Sequence, residues 1–480
     1  MSLTGALANA MSGLSAASRN AQVTSNNIAN AMTPGYSVRN VSVSQNSLGG
    51  VSIAGISRHS DPVLLAERRA SDAETGSAAV TSEFYTRLET LMGTPDQASS
   101  LSGKFSNFES ALVAATGGPE SDVRLKSVVD SAELLVDGIN KASNGVQDMR
   151  QQSDATIGQM VDSLNGLLKT TEELNLKITQ ATVQGKDTAA LMDQRQQAID
   201  QINEMVPVRI MERENGSVAL FSGGGQTLLD GSARELEFTP TPTITAHMTQ
   251  GNGQLSGLSI DGKPLVTDST GSLSGGTLYA QFEVRDEQAV SAQAELDALA
   301  RDLVDRFQNS GADPTLGPGD AGLFTDGGGA FDPLDEVGLA GRLELNSLVT
   351  SDGAGEVWRL RDGMNAAAPG DVGNASILTS LVDAVQASTV PGSGALGSKA
   401  STMSEMFGAL HSSTTTGRVN SETALSYAAS QRDTFVGMEL AQGVDTDVEM
   451  QNLMLIEQAY SANAKIIQAV DDMMNTILGI

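Results

Sequence analysis

Both ends of this 480-residue chain carry an apolar stripe at heptad spacing. At the start, Leu3, Leu7, Ala10, Leu14, Ala17, Ala21, Thr24 and Ile28 recur at steps of four and three. At the finish, Leu453, Ile456, Tyr460, Asn463, Ile467, Val470, Met474 and Ile477 do the same. Such a repeat predicts a coiled-coil helix at each terminus. Residues 1–60 contain Arg19, Arg39 and Arg58 but no acid. Residues 441–480 carry Asp445, Asp447, Glu449, Glu457, Asp471 and Asp472 against Lys465 alone. That contrast makes the two ends expected partners, although charge steers such a pair more than it stabilises it. A chain whose termini meet around an inserted middle reads as a building block.

The N-terminal stripe is too weak to stand alone. Only Leu3, Leu7, Leu14 and Ile28 among its seam positions are large. Each contributes roughly 1.5–3 kcal/mol when fully buried, while every fixed backbone residue costs about 1–2 kcal/mol. Gly5 and Gly13 subtract a further ~1 kcal/mol apiece relative to Ala. Pairing with the C-terminal helix still leaves a hairpin with no second layer, so neighbouring molecules are expected to supply it. Both stripes are therefore candidate assembly surfaces. Asn26, Asn27 and Asn30, beside the Pro34-Gly35 break, read either as polar contacts between subunits or as simple helix termination.

The bulk numbers narrow the choice. The length implies two to four domains. Hydrophobic residues make up 40% but aromatics only 4%, so the cores are built from Leu, Val, Ile, Ala and Met. A net charge of −29 argues against nucleic acid or an anionic membrane as partner. Cysteine is absent, which removes disulfides and thiolate chemistry. No secretory leader and no run of roughly 20 apolar residues is visible.

The fold class expected is mainly α with an inserted β domain. Residues 1–60 and 441–480 form the terminal coiled-coil domain. Residues 61–205 and 286–440 form an elongated, discontinuous helical bundle, and 206–285 form an outer β-rich domain. Helices are predicted at 3–31, 62–91, 101–115, from 121 through about 178, 187–205, 286–308, 376–385, 401–411, 421–440 and from 445. Within the long stretch, the heptad phase shifts between Met149 and Ile157. Residues 310–375, rich in Gly, Asp and Pro, are expected to be loops laid over the bundle. The β assignment rests on Val208, Ile210, Val218, Leu220 and Phe221 between turn signals such as Asn215-Gly216 and Asp230-Gly231.

Motifs that carry chemistry are weak. Gly392, Gly394 and Gly397 spell a dinucleotide-type glycine string, but Pro391 precedes it where a strand is needed. His59, His247 and His411 are scattered. Asp445-Thr446-Asp447-Val448-Glu449 opens like a calcium loop, yet Met450 occupies the position that requires Gly; acid at a helix N-terminus explains it better. Asp326-Gly327-Gly328-Gly329 reads as a turn. No cofactor, metal or catalytic set is expected, and the chain is not expected to be an enzyme.

Two segments then carry a resemblance. Ser25-Asn26-Asn27-Ile28-Ala29-Asn30-Ala31-Met32-Thr33-Pro34-Gly35-Tyr36 resembles the N-terminal signature of bacterial flagellar rod, hook and hook-associated proteins. Glu457-Gln458-Ala459-Tyr460-Ser461-Ala462-Asn463-Ala464-Lys465-Ile466-Ile467 resembles their C-terminal signature. The helical run of Pro62 to Met205 is longer than rod or hook proteins have and is similar to the layout of hook–filament junction members. The resemblance implies a structural ring subunit, with terminal helices lining an inner tube and the β domain facing outward. It adds Tyr36 to the candidate interface. It implies as partners further copies of the chain, the hook protein, the second junction protein (hook-associated protein 3) and an export chaperone on the C-terminal helix. It also implies secretion to the flagellum through the flagellar exporter without a cleaved leader. A rod or hook protein is the nearest alternative, and a secreted enzyme or adhesin with coiled-coil ends the remote one.

Overall fold

The computed structural model describes residues 3–33, 35–47, 49–309, 311–350 and 356–479. Helix α1 (Leu3–Ala29) is followed by an antiparallel hairpin, β1 (Arg39–Gln45) and β2 (Val51–Arg58). Helices α2 (Pro62–Met92), α3 (Leu101–Thr116), α4 (Asp122–Val183) and α5 (Ala189–Met205) come next. Their starts are written locally. Asp61 caps α2 with Pro62 at the first helical position, Ser100 caps α3, and Ser121 caps α4. Gly93 ends α2 at φ 73°, a conformation that favours glycine. At 62 residues, α4 is about 93 Å long and forms the spine.

The strand-rich stretch holds two small antiparallel sheets. The first joins β3 (Val208–Glu212), β4 (Val218–Ser222), β5 (Thr227–Asp230) and β6 (Ser232–Ala233) in chain order, leaving β3 on an edge. The second joins β7 (Leu236–Glu237), β8 (Ser259–Ile260) and β9 (Lys263–Pro264). Helix α6 (Gly276–Glu283) then runs through a π-helical turn at Val284–Gln288 into α7 (Ala289–Gln308). Strands β10 (Phe324–Asp326) and β11 (Leu343–Leu345) pair around the short α8 (Leu339–Arg342). After the short α9 (Arg359–Asp362) come α10 (Ser376–Gln386), α11 (Met403–Ala441) and α12 (Thr446–Leu478).

Two cores share the spine. One gathers α2, α3, the first half of α4, α7, α10 and the start of α11 around Phe105, Phe108, Leu135, Phe307 and Phe407. The other packs the later part of α4, α5 and α6 against the strands through Ile157, Leu164, Ile202, Leu220 and Phe282. The last α4 residue in the first core is Met149 and the first in the second is Ile157. That is where the heptad phase shifts, because the helix turns a different face to a different partner. The strands bury themselves against helices instead of against each other.

Two expectations differ from the structure. Residues 401–411 and 421–440 belong to one unbroken 39-residue helix, opened by a capping box of Thr402 and Glu405. The weak helix formers between them are held by packing along α2, where Thr414 and Ser421 are buried. Residues 311–350 and 356–375 are not an overlay; 310 and 351–355 lie outside the described residues. Leu323, Phe324, Phe331, Leu339 and Leu343 are buried in the first core, and the Phe324 ring meets Phe108 and Phe307 at 5.6 and 5.0 Å. Isolated apolar residues between Gly and Asp turns have no period to read.

Candidate assembly interface

Helices α1 and α12 pack along each other. Asn463 lies against Gly13, where an added Cβ would sit 2.8 Å from its side chain. Asn27 Nδ2 donates to Glu449 Oε1 at 2.9 Å. These contacts lie two heptads apart on both helices and run in opposite directions, so the pair is antiparallel. The most buried seam positions of α1 are small: Ala10, Ala17 and Thr24. Their size lets the helices approach closely, whereas Leu3, Leu7, Leu14 and Ile28 stay half-buried. On α12, Leu453, Ile456, Asn463 and Ile467 are half-buried and Val470 is buried. Tyr460, Met474 and Ile477 are largely open; the antiparallel register runs the last two past the start of α1.

The polar end of the seam is one network. Asn27 Oδ1 accepts from Tyr36 Oη at 2.8 Å and from the Arg39 N–H, while Nδ2 also donates to the Arg39 carbonyl. All of its hydrogen-bonding capacity is used. The Arg39 guanidinium stacks 4.7 Å from the Tyr36 ring centroid. Burial pushes the Tyr36 hydroxyl up, with Arg39 opposing and Asp193 and Glu449 adding to the rise. Asn26 is exposed, and its carbonyl accepts from Asn30 Nδ2 at 2.9 Å, a helix-end contact. Gly35 adopts φ 75° beside Gln197. Pro34 lies outside the described residues.

The N-terminal arginines do not reach the acids of α12. They reach α5. Arg39 Nη2 and Arg58 Nε hold the two oxygens of Asp193 at 2.6 and 2.7 Å, and Arg58 also donates to Gln196. Arg19 lies 3.9 Å from Asp187. Below them Arg68 joins Asp72, Asp200 and Glu439, and Arg69 joins Asp200. Burial lowers the Arg68 pKa, but these three carboxylates outweigh it and leave the group raised. Asp193 and Asp200 anchor these arginines, and sequence reasoning missed both. The available signal was three arginines in an acid-free segment facing acids on a nearby helix.

One face of α12 has no cover among the described residues. Val448, Leu455, Ile466, Met473 and Ile477 are 45–64% exposed. On a helix they fall within about 40° of one another, roughly a quarter turn from the seam with α1. Among the described side chains of α12, Val470 is the only apolar one buried. No three or more His, Asp or Glu side chains converge as metal ligands, and no helix is long and apolar enough to cross a membrane, among the described residues.

Known proteins match this chain along its length. Residues 85–319 match the flagellar hook-associated protein FlgK helical domain. Residues 437–480 match the flagellar basal body rod FlgEFG protein C-terminal family, and residues 7–36 the flagella basal body rod protein family. Flagellar hook-associated protein 1 of Salmonella typhimurium is 28% identical, over 55% of this chain and 50% of that protein. The chain thus spans about half the length of that relative. The Bacillus subtilis protein of the same name is 23% identical over 97% of this chain and 96% of its own. A solved structure, the flagellar hook junction protein FlgK from Burkholderia pseudomallei, aligns with TM-score 0.46 at 19% identity, over 55% of this chain and 47% of that one. Rod-type families at both ends, on helices that pair and leave an apolar face open, define an axial structural protein of the bacterial flagellum. Within that class, the chain is similar to proteins named flagellar hook-associated protein 1.

Proposed function

We propose that the chain is a ring subunit joining the flagellar hook to the filament, assembled through α1 and α12. The observation that carries this reading is the open stripe of Val448, Leu455, Ile466, Met473 and Ile477 beside a seam that α1 already fills. Large apolar side chains left in a row on a helix mark a surface meant for a partner. In this reading the terminal pair (1–60 and 441–480) lines the inside of the tube. The helical bundle (61–205 and 286–440) is the next layer, and the strand region (206–285) faces outward. The ion pairs of Arg39 and Arg58 to Asp193 on α5 transmit load between the inner two layers. Hook protein on one side and the second junction protein on the other are the proposed neighbours. An export chaperone would cover the α12 stripe before export through the flagellar exporter. A rod or hook subunit is the second reading; the helical run from α2 to α5 favours the junction.

The test is a Leu455→Asp, Ile466→Asp double variant. It should keep the helical signal and unfolding midpoint of the parent, because both side chains are exposed. Cells that depend on it should carry hooks without filaments. Normal filaments on those hooks would refute the assignment.

A further inference from the structure

A groove of 810 Å3 opens between α2, α5 and the edge strand β3, just below the terminal hairpin. Its walls include Leu65, Ile199, Val208 and Ile210. Its charge is opposite to that of the molecule. Arg58 and Arg69 on its margin are neutralised by Asp193 and Asp200. Arg195 and Arg209 have no carboxylate partner among the described residues, against one acid, Glu212. Arg195 donates to Asn175 Oδ1 and to the Gly216 carbonyl, and burial pushes its pKa down to about 10. Arg209 is exposed on β3. In a chain of net charge −29, an apolar groove with two guanidinium groups that lack a carboxylate fits an acidic, apolar ligand.

The same molecule presents one at the same level. At the corner between α11 and α12, Leu440 is 75% exposed and Met438 51%. Asp445 and Asp447 follow within a few residues, and neither forms an ion pair among the described residues. The level is fixed by α2. Arg68 binds Glu439, the neighbour of Leu440, while Arg69 faces the groove. Corner and groove therefore lie on two flanks of one helix, at adjacent positions along it. Neither Met438 nor Leu440 lines the groove of its own chain. A knob and a hole on different flanks at one height form a heterologous contact, which closes into a ring when repeated by rotation. The corner also leads straight into the open α12 stripe at Val448, so both surfaces would be covered by neighbouring copies together.

We propose that the groove receives the α11–α12 corner of a second copy, with Leu440 against the apolar wall and Asp447 meeting Arg209. The inference rests on the ring reading above. The chain has no cysteine, so paired cysteines report the contact directly. Cells should produce the full chain carrying Ile210→Cys and Leu440→Cys as their only copy. Mild oxidation of their flagella should give a ladder of disulfide-linked multimers, with either single variant remaining monomeric. Filament-bearing cells that yield only monomer would overturn this contact while leaving the assembly role standing. Loss of the role itself is read separately from the α12 double variant. As a second measurement, Arg209→Glu should lower the fraction of hooks bearing filaments several-fold, and adding Asp447→Arg should restore it. Failure of the pair to restore would also overturn the contact.

Discussion

Asn27 Nδ2 stands 2.9 Å from Glu449 Oε1, a side-chain bond that ties residues 422 positions apart. Both groups are nearly out of solvent, at 1% and 6% exposure. The same amide holds Tyr36 and both backbone groups of Arg39, so one side chain fixes the exit of α1, the hairpin and the start of α12 together.

Asn27→Ala should therefore loosen the terminal pair without touching either core. It leaves the Glu449 carboxylate without its donor, at a cost of about 1–3 kcal/mol for a buried group. Amide exchange should accelerate across α1 and α12, while protection in α3 and α4 stays at the parent level. Asn27→Asp should be worse, since it sets a second carboxylate against the first. Unchanged exchange in the terminal helices would show that the bond contributes nothing.

Gly417 and Gly408 lie on the same helix, α11, and should respond oppositely to alanine. A Cβ at Gly417 would overlap the Tyr85 ring of α2, whereas one at Gly408 meets nothing within 4 Å. Alanine gains up to ~1 kcal/mol of helix propensity at either position. At Gly417, overpacking costs about 1–3 kcal/mol and exceeds that gain. Chemical denaturation should show Gly408→Ala stabilised and Gly417→Ala destabilised. Equal effects at the two positions would mean that α2 and α11 do not approach this closely.

What was legible in the sequence follows from where periodic burial decided the structure. Leu125 through Ile178 face partners along one continuous helix, and even the change of core between Met149 and Ile157 left a phase shift. The terminal seam was equally legible because Ala10, Ala17, Val470 and their neighbours keep a strict heptad. Residues 311–350 were not, because Phe324 and Leu343 enter the core from strands only three residues long and Phe331 from a loop, too short to show a period. The run from Ser412 to Asn420 was misleading, since its Ser, Thr and Gly residues reflect close packing on α2 and not a break. Of the interface, the arginines were visible but their partners were not. Asp193 and Asp200 sit on α5, and only the fold brings that helix beneath the hairpin.

Two buried carboxylates, Asp297 and Asp302, and three half-buried ones set the expected pH dependence. Burial pushes Glu283, Glu295, Asp297, Asp302 and Glu439 above their ordinary values, in each case against at least one favourable contact. Ser413 Oγ, for instance, donates to Glu295 at 3.0 Å. A raised folded-state value means that the native protein binds more protons than the unfolded chain. Stability from these groups is fully present below the unfolded carboxylate range and is lost as pH rises through the folded values. Asp61 and Asp268, held low by backbone and hydroxyl donors, act oppositely and only in stronger acid. The unfolding midpoint should fall as pH rises above the ordinary carboxylate range, and Glu295→Gln should flatten part of that slope. A midpoint that climbs steadily toward pH 8 would contradict this.

The joint between the two cores is held by a fully buried ion pair, and its removal should be asymmetric. Arg285 Nη1 lies 2.6 Å from Asp154 Oδ1, both side chains at 0% exposure. Asp154 Oδ2 also accepts the Thr241 N–H, so the carboxylate ties the spine to the strand region as well as to the π-helical turn. Arg150 fills the remaining space by donating to the carbonyls of Arg285 and Met248. Removing one partner strands a charge away from water, and such changes cost about 3–5 kcal/mol. Asp286 still holds Arg285 from the side at 2.8 Å, which places Asp154→Ala near about 3 kcal/mol. Replacing both charges by apolar groups of similar volume, Asp154→Leu with Arg285→Met, removes the fully buried unpaired charge, leaves only the partly exposed Asp286 and the Thr241 N–H without their partners, and should cost less than the two single changes combined. Urea midpoints of the four proteins measure that coupling. Strict additivity would mean that the pair acts as two independent polar anchors, one to Thr241 and one to Asp286.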